Sequence, residues 1–567
     1  MIKSVKAGNR DYKEVLAIVG IIIFTAVMII PFIMTGQLGV HSDWSFHSAR
    51  VQQIYLNLKR GQFLTYIGTD TFSKVGNANF LFYPVIFLYP WAFLKFVFAP
   101  ITAYLIYIWL LFIATGLTAF FCMQSFSRGK TLQAFYFSII YLIAPYHLYL
   151  TLTNYVLGEA IAYTFIPIVL LGMYNLLYKG KWVTLAIGMT LMAYSHYVSL
   201  FISVEVCLLI SICYLIQNKS IELSQLFSLL KSIVLFMLLS FWQFVPLVTD
   251  YVGKGLASPK PGFWLMQNLG DFIAFAFSNS ATNGGGIGLV LIVTALLGWK
   301  FIDKNSKYMW AYLLGILLLL MITTVFPWQY FSTTPLAIIQ FPYRYTSWAV
   351  AFLSIALSKG LFNIKFQDIK GYRISMVLIV VFMLLYAGSV YSDYARNIQK
   401  DGSVPILFSK RKGEYRTLRD SRDTPIIINN RNYDYQFSYG ALYGETDYMP
   451  MAAFNNSNSI FNHVSYINGK KEKIKQEDLP NQIVYTGNFK KNDIVNLPSL
   501  AYTNTVVKAD NKTVPHQISK RGTVEIKLLQ HTDRFIVTYA PTKILLVGWM
   551  LSLITWSIVI GVHFKEK

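Results

Sequence analysis

The sequence predicts a polytopic α-helical membrane protein with about 12 membrane-spanning helices, in a range of 12–14, and a small β-rich domain outside the membrane. Of the 567 residues, 55% are hydrophobic and only 13% are charged, whereas soluble domains carry about 25% charged residues. At least nine apolar stretches reach about 17–22 residues, which is the length that crosses a bilayer. This composition excludes a soluble dehydrogenase, a DNA-binding protein and a secreted disulfide scaffold.

The first span follows a basic N-terminus and covers residues 15–34, an apolar run that is too long for the core of a secretory signal peptide. Further spans are predicted at 101–124, 131–152, 159–178, 182–196, 198–216, 230–250, 286–301, 308–326, 346–361, 374–392 and 543–563. Residues 79–99 are also apolar, but they contain Pro84 and Pro90 and therefore predict a broken or re-entrant helix.

The distribution of Lys and Arg predicts the orientation of these spans. Short loops between spans are basic, for example around Arg128, Lys181 and Lys304, and both termini carry lysines. Because such loops stay in the cytoplasm, both termini are expected there, with the spans embedded in the lipid bilayer. The net charge of +22 is explained by these loops and does not indicate a nucleic-acid partner.

This orientation leaves the large polar segment on the outer face. The predicted domains are a membrane domain at 1–392 with a first outer loop at 35–78, an extracytoplasmic β-rich domain at 393–541, and a final helix with a short tail at 542–567. Candidate strands of the β-rich domain are Thr424–Asn429, Gln482–Tyr485, Ala501–Val507, Thr523–Leu529 and Phe535–Tyr539.

The first outer loop carries three functional side chains at helical spacing. In a helix, Asp43, His47 and Arg50 occupy positions i, i+4 and i+7 on one face. A carboxylate, an imidazole and a guanidinium that project together are typical of a general base with phosphate-binding partners. The alternative is a solvated helix face with an ordinary salt bridge, because this spacing is common.

Three more candidates stand near the predicted outer ends of membrane helices. Glu159 begins a span, where a carboxylate also acts as a plain cap on the helix dipole. His196 lies where two short helices are expected to meet, and a hydrogen-bonded core histidine is its alternative. Arg344 follows Gln340 by four residues and suits a phosphate, although it also suits an interfacial anchor.

Glu445 stands in the segment 443–450 of the β-rich domain, beside Asp447 and several aromatic residues. Two acids in such a setting suit a polar binding site, and a turn that pins the domain to the membrane part is the alternative. The predicted topology brings an acid, an imidazole and a guanidinium to one membrane face, which fits a reaction on a phosphate-linked lipid. The residues expected to meet there are Asp43, Glu159, His196 and Arg344.

Other catalytic motifs are absent from the sequence. It has no Gly-x-x-x-x-Gly-Lys loop for ATP, no His-Glu-x-x-His or paired-Cys zinc motif, and no Gly-x-Ser-x-Gly elbow of an esterase. Its three cysteines, Cys122, Cys207 and Cys213, lie in apolar segments and are predicted to be small core residues.

Six motifs occur together in a characteristic order: Asp43-x-x-x-His47-x-x-Arg50, Phe82-Tyr83-Pro84, Leu157-Gly158-Glu159, Ser195-His196, Gln340-Phe341-Pro342-Tyr343-Arg344 and Gly444-Glu445. In these motifs the chain resembles bacterial membrane proteins labelled 6-pyruvoyl-tetrahydropterin synthase-related. That group is similar to YfhO-like proteins and to GT-C glycosyltransferases. The resemblance spans most of the chain, and nothing in it resembles a soluble pterin synthase with a three-histidine zinc site.

The resemblance implies a GT-C-like helical bundle in a bacterial cell membrane. It implies an enzyme that takes a sugar from a polyprenyl-phosphate carrier at the outer face and gives it to an anionic envelope polymer or glycolipid. Asp43 is then the catalytic base, and the expected substrate-binding residues are His47, Arg50, Glu159, His196, Arg344 and Glu445. No metal ligand is assigned, and Glu159 is the residue expected beside a sugar or a divalent cation. The alternatives are a non-enzymatic transporter and an assembly or scaffold protein for envelope polysaccharide.

Overall fold

The structure is a computed structural model that describes residues 2–40, 42–257, 262–263, 266–279, 286–363, 388, 404–405, 426–437 and 444–565. The predicted span 374–392 lies outside these residues except at position 388, and so does much of residues 393–443, the first part of the predicted β-rich domain 393–541. The helices, in chain order, are α1 (Ile2–Thr35), α2 (Trp44–Lys59), α3 (Asn79–Phe82), α4 (Tyr89–Leu94), α5 (Pro100–Phe126), α6 (Thr131–Leu142), α7 (Pro145–Leu148), α8 (Leu157–Lys179), α9 (Val183–Ala193), α10 (Tyr197–Asn218), α11 (Leu223–Pro246), α12 (Leu269–Ser278), α13 (Leu289–Leu297), α14 (Lys307–Met321), α15 (Thr346–Asn363), α16 (Met451–Asn455), α17 (Ser457–Phe461) and α18 (Lys543–Lys565).

The strands are β1 (Gln37–Val40), β2 (Val404–Pro405), β3 (Ile426–Asn429), β4 (Ser465–Ile467), β5 (Lys470–Glu472), β6 (Lys475–Leu479), β7 (Gln482–Phe489), β8 (Ile494–Leu500), β9 (Thr505–Ala509), β10 (Lys512–Val514), β11 (Gln517–Ile518), β12 (Thr523–Lys527) and β13 (Thr532–Tyr539). The prediction of a mostly helical chain with a sheet region near its C-terminus is confirmed. The predicted strand Ala501–Val507 begins too early, because residues 501–504 form a turn before β9.

Six helices among the described residues are long and apolar enough to cross a membrane. They are Tyr12–Thr35, Pro100–Phe126, Leu157–Lys179, Tyr197–Asn218, Leu223–Tyr251 and Lys543–Val562. Thr131–Leu142 and Pro145–Thr153 together form a seventh candidate that is bent by 51°. Apolar helices such as α9 and α14 are shorter than the ~20 residues that cross a bilayer, so the count of about 12 spans stays a prediction.

The chain divides into two compact units, and each is discontinuous in sequence. The helical unit comprises Met1–Val40, Tyr104–Phe236 and Lys260–Ser403. The mixed unit comprises His41–Ala103, Met237–Pro259 and Val404–Lys567. The predicted domains, by contrast, are continuous along the chain.

Close helix packing holds the helical unit together. Gly172 of α8 lies against Leu185 of α9, where an added Cβ would stand 2.6 Å from the Leu185 Cα. Small residues allow such close approach between membrane helices, where packing rather than water expulsion drives association. The chain then turns at Tyr194–His196 and continues as α10, so two helices meet near His196 as expected, but only α9 is short, because α10 has 22 residues.

A β-sandwich forms the core of the mixed unit. One sheet has the strand order β10-β9-β13-β7-β6, and the other has the order β11-β12-β8-β4-β5. Alternate residues of both sheets point into one apolar core, which includes Ile483, Leu497, Val507, Ile526 and Phe535. Because neighbouring side chains of a strand face opposite ways, each sheet contributes one apolar face to this core.

The mixed unit includes the C-terminal part of α11 and the whole of α18, two candidate membrane helices. The ring of Trp242 in α11 lies 4.3 Å from that of Trp549 in α18, measured between centroids. After α11, the buried Asp250 carboxylate accepts hydrogen bonds from the Asn504 side chain at 2.7 Å and from the Tyr539 hydroxyl at 3.1 Å. These bonds join the end of α11 to the end of the sandwich.

Residues 79–99 form short helices, as the prolines predict. α3 ends before Pro84, Pro90 lies in the first turn of α4, and Pro100 begins α5. Proline is tolerated in a first helical turn because it lacks only an N–H that has no partner there. α4 packs on α2, with the Trp91 and Trp44 rings 5.8 Å apart.

Candidate functional site

The predicted site residues are divided between the two units. The mixed unit contains Asp43, His47, Arg50 and Glu445, together with Asp447. Glu159, His196 and Arg344 lie in the helical unit. The meeting of the two sets in one pocket stays a prediction.

Asp43 stands at the N-cap of α2 but does not cap it. Its side chain makes no capping hydrogen bond to the helix backbone, although Asp is among the preferred capping residues. The helix is fixed instead at Trp44 and Ser48, which donate hydrogen bonds of 2.9 and 3.2 Å to the Gln436 side-chain oxygen. The predicted helical placement of Asp43, His47 and Arg50 is therefore present, and the Asp43 carboxylate is not used to start the helix.

Arg50 of α2 binds the backbone of the segment that follows α3. Its Nη2 donates to the carbonyl oxygens of Tyr83 at 2.7 Å and Pro84 at 2.9 Å. Its guanidinium carbon lies 4.8 Å from the centroid of the Tyr83 ring and 5.3 Å from that of the Phe46 ring. The side chain is fully buried. Contact with a phosphate through Nη2 would require these two backbone bonds to break.

His47 is buried between aromatic rings. Its ring centroid lies 5.3 Å from that of Phe46 and 5.7 Å from that of Tyr83. Burial, together with the charge of Arg50, holds the pKa of His47 well below its usual value of 6.5. The imidazole is therefore neutral at pH 7, and it offers a phosphate a neutral N–H donor but no positive charge.

Glu445 lies in a tight turn that is hydrogen-bonded to Ser73 and Asn77, which follow α2 in the chain. Its Oε1 accepts a hydrogen bond of 2.6 Å from the Ser73 hydroxyl. Asn77 donates through Nδ2 to the backbone oxygens of Glu445 at 3.0 Å and Asp447 at 3.1 Å. Gly444 begins the turn at φ +80°, with the Phe46 side chain packed against it. Glu445 thus holds the turn in place through both its side chain and its backbone.

Asp447 is the acid of this turn that lies close to Asp43. Burial and the negative charge of Asp43 raise the pKa of Asp447 from 3.8 to about 7. The sequence shows Asp447 only as a neighbour of Glu445, since nothing in the spacing of positions 43 and 447 predicts that they approach. A carboxyl group that is protonated near neutral pH beside a second acid is typical of acid–base sites.

In the helical unit, Glu159 and Arg344 form a buried ion pair. The Arg344 Nε lies 3.7 Å from Glu159 Oε2, a separation that makes an ion pair but not a hydrogen bond. Glu159 Oε1 accepts hydrogen bonds from the Tyr146 hydroxyl at 2.7 Å and the Ser347 hydroxyl at 3.2 Å. The structure therefore brings together two of the residues predicted at helix ends.

The Gln340-Phe341-Pro342-Tyr343-Arg344 motif shapes the site of Arg344. Arg344 Nη1 donates to the Ile339 carbonyl at 2.7 Å and to Gln340 Oε1 at 2.9 Å. Its guanidinium carbon lies 5.0 Å from the Phe341 ring centroid. Pro342 starts the short 3₁₀ turn Pro342–Tyr345 that leads into α15. The motif thus fixes the direction of one guanidinium at the start of a helix.

His196 stands at the N-cap of α10, where its Nδ1 lies 2.9 Å from the Ser199 hydroxyl. Only 4% of the residue is exposed. This contact matches the alternative of a hydrogen-bonded core histidine, and its predicted role toward a phosphate stays a prediction.

No three side chains of His, Cys, Asp or Glu converge as metal ligands within the described part of the chain. Asp43 and Asp447 are two oxygen donors, whereas a protein-held Ca²⁺ site takes six to eight oxygen ligands. The divalent cation that the sequence analysis expects beside Glu159 is a separate case, and it stays a prediction.

The comparisons with known proteins agree with the expected family. A family model described as 6-pyruvoyl-tetrahydropterin synthase related domain, membrane protein, matches residues 80–395, which is more than half of the chain. A search of curated proteins finds no match. The matched segment contains Glu159, His196 and Arg344. The chain belongs to the 6-pyruvoyl-tetrahydropterin synthase related family of membrane proteins.

Proposed function

We propose that this protein is a membrane glycosyltransferase of the GT-C type. It transfers a sugar from a polyprenyl-phosphate carrier to a cell-envelope polymer or glycolipid at the outer face of a bacterial membrane. Membership of a membrane-protein family supports the location. The strongest support for chemistry is the Asp43–Asp447 pair, because burial and the nearby charge of Asp43 raise the pKa of Asp447 to about 7.

The proposed reaction is a single displacement with inversion at the sugar. An acceptor hydroxyl attacks the anomeric carbon, and its proton passes to the Asp43 carboxylate as the new glycosidic bond forms. The bond from the anomeric carbon to the carrier phosphate oxygen breaks, and the phosphate leaves with the electron pair. General base catalysis of this kind contributes roughly 10²–10⁴-fold. Asp447, which holds a proton below pH 7, donates a hydrogen bond within the site.

The other predicted residues serve the leaving phosphate and the sugar in this proposal. Arg344 supplies the positive charge, and Glu159 sets the direction of its guanidinium through their ion pair. His47 supplies a neutral donor, and His196 binds phosphate oxygen at the start of α10. Arg50 and Glu445 act by holding the walls of the site, through Tyr83, Pro84 and Ser73.

The proposed topology has about 12 spans with both termini in the cytoplasm and the sandwich outside. Residues 393–541 contain 21 Lys and Arg against 15 Asp and Glu, a net charge of +6. A positive surface of this kind guides an anionic acceptor by long-range attraction.

The test is glycan mass spectrometry of the envelope from a deletion strain that carries wild-type or variant protein. Asp43→Asn should remove the transferred sugar as completely as the deletion, while immunoblotting shows normal protein in the membrane. Asp70→Asn is the matched control, because Asp70 lies in the same loop but its carboxylate is engaged by Arg60 at 2.7 Å.

Two outcomes would contradict the proposed chemistry. A glycan profile that Asp43→Asn leaves unchanged, while deletion alters it, would favour a scaffold or a transporter. A profile that deletion leaves unchanged would remove the envelope glycan as the acceptor.

A further inference from the structure

The helical unit contains an apolar cavity that the proposed reaction does not use. It has a volume of about 110 Å³, it is partly open, and it is lined by residues of α5, α6, α8, α10, α14 and α15. Most lining side chains are aliphatic or aromatic, including Phe137, Leu170, Trp310 and Leu314. α5, α8 and α10 are candidate membrane spans, so hydrocarbon rather than water is the expected surrounding of this cavity.

One lysine lies at the wall of this cavity. Lys307, the first residue of α14, donates from Nζ to the Phe126 carbonyl oxygen at 2.7 Å. The same nitrogen lies 3.6 Å from the Phe126 ring centroid and 4.5 Å from that of Tyr174. The aromatic rings and the carbonyl therefore hold an ammonium group at the edge of an apolar space.

Three cations act on Lys307. Burial and the charges of Arg128, Lys179 and Lys130 lower the pKa of Lys307 from 10.5 to about 8. Lys359 lies near Lys130 and Asp303, and Asp303 is the acid that acts on it. The described residues at this end of the helices thus form a basic cluster in which positive charges outnumber negative ones.

We propose that this cavity binds an anionic phospholipid, with an acyl chain among the apolar side chains and the phosphate against Lys307. An apolar cavity beside a basic cluster complements a molecule that carries an apolar chain and an anionic head group. Basic pockets between membrane helices bind anionic head groups for this reason. A free phosphate would use the lysine but leave the apolar cavity unfilled.

This binding site is separate from the proposed reaction. None of Asp43, Glu159, His196 or Arg344 lines the cavity. The two proposals can therefore be tested separately. A failure to bind lipid would contradict only the lipid site, and unchanged glycan in the Asp43→Asn strain would contradict only the transferase.

The test is native mass spectrometry of the purified full-length protein titrated with palmitoyl-oleoyl phosphatidylglycerol or with the phosphatidylcholine of the same chains. Phosphatidylglycerol should bind at least fivefold more tightly. Lys307→Gln should weaken phosphatidylglycerol binding about fivefold, the factor expected for one basic group near an anionic lipid, and leave phosphatidylcholine unchanged. Lys307→Arg should retain binding. The matched control is Lys300→Gln, an exposed lysine outside the cavity.

A second measurement needs no change at the lysine. Phosphatidylglycerol with brominated acyl chains should quench the fluorescence of Trp310, measured as the difference between wild type and Trp310→Phe in nanodiscs. Equal quenching by brominated phosphatidylcholine, or equal binding of the two lipids by wild type, would overturn the proposal. Loss of binding with inorganic phosphate as competitor but no quenching of Trp310 would assign the site to free phosphate instead.

Discussion

The carboxylates of Asp43 and Asp447 show how a residue far away in sequence sets the chemistry of a site. Position 43 alone suggests a base, but the approach of Asp447 gives the site a group that titrates near neutrality. Perturbed acids of this kind cluster at functional sites, although structural networks perturb them too. A variant that removes the charge of Asp447 but keeps the shape of its side chain distinguishes a catalytic role from a structural one.

Asp447→Asn should stabilise the protein in a pH-dependent way. Between pH 3.8 and about 7 the unfolded carboxyl is ionised and the folded one is protonated, so wild-type stability falls as pH rises through this window. The variant removes that loss, which we expect to be ~4 kcal/mol at pH 8, because each of about three pKa units is worth ~1.4 kcal/mol, and small at pH 4. Thermal unfolding of the purified protein at both pH values measures it.

Glu472→Gln is the control for this prediction, because Glu472 is an exposed acid of β5. It should change the unfolding temperature equally at both pH values. A gain for Asp447→Asn that is the same at pH 4 and pH 8 would show that Asp447 does not titrate as described.

Gly444→Ala should destabilise the turn that carries Glu445 and Asp447. The left-handed φ of +80° costs a Cβ about 1 kcal/mol, and the Phe46 Cβ, 3.0 Å away, adds steric strain, for a total of about 2 kcal/mol. Gly469→Ala, at φ +77° with open space around it, isolates the backbone cost. The denaturation midpoint should fall further for Gly444→Ala than for Gly469→Ala. Equal falls would show that the contact with Phe46 does not contribute to the destabilisation.

Part of the residue-level site can be predicted from sequence. The i, i+4, i+7 spacing correctly places Asp43, His47 and Arg50 on one helix, because local periodicity decides it. The partners of Arg50 are two backbone carbonyls, which every residue possesses, so no sequence pattern marks them. The same holds for Glu445, whose side chain binds Ser73 across hundreds of residues of chain.

At the scale of elements, prolines and apolar length predict most boundaries. Pro84, Pro90 and Pro100 break residues 79–99 into short helices, as expected. β8 is harder to predict, because Pro498 lies within it although it pairs on both sides with β12 and β4. The pairing skips residues around Pro498, where the register with β12 shifts, and a bulge of this kind accommodates a proline.

Helix lengths explain why the span count cannot be read from hydropathy alone. α9 and α14 are apolar but have 11 and 15 residues, and a helix rises ~1.5 Å per residue against a hydrocarbon core of ~30 Å. The sequence pattern shows that these segments avoid water, but burial in protein and burial in lipid produce the same pattern.

At the scale of the whole molecule, the proposed orientation predicts which sites face outward. In a protein whose native cysteines are replaced, Lys470→Cys in the β-sandwich should react with a membrane-impermeant maleimide in intact cells. Lys304→Cys, in a basic loop, should react only after permeabilisation. Both side chains are exposed, so the membrane decides their access. Labelling of Lys304→Cys in intact cells would show that the protein has the opposite orientation.

The most direct test of the proposed transferase is the size of the donor lipid pool. Mass spectrometry of polyprenyl-phosphate lipids should find a sugar-linked carrier that accumulates several-fold in the deletion and Asp43→Asn strains and returns to the wild-type level with Asp70→Asn. Its mass would also identify the sugar. A carrier pool that is the same in all four strains would contradict the claim that this protein consumes a polyprenyl-phosphate-linked sugar.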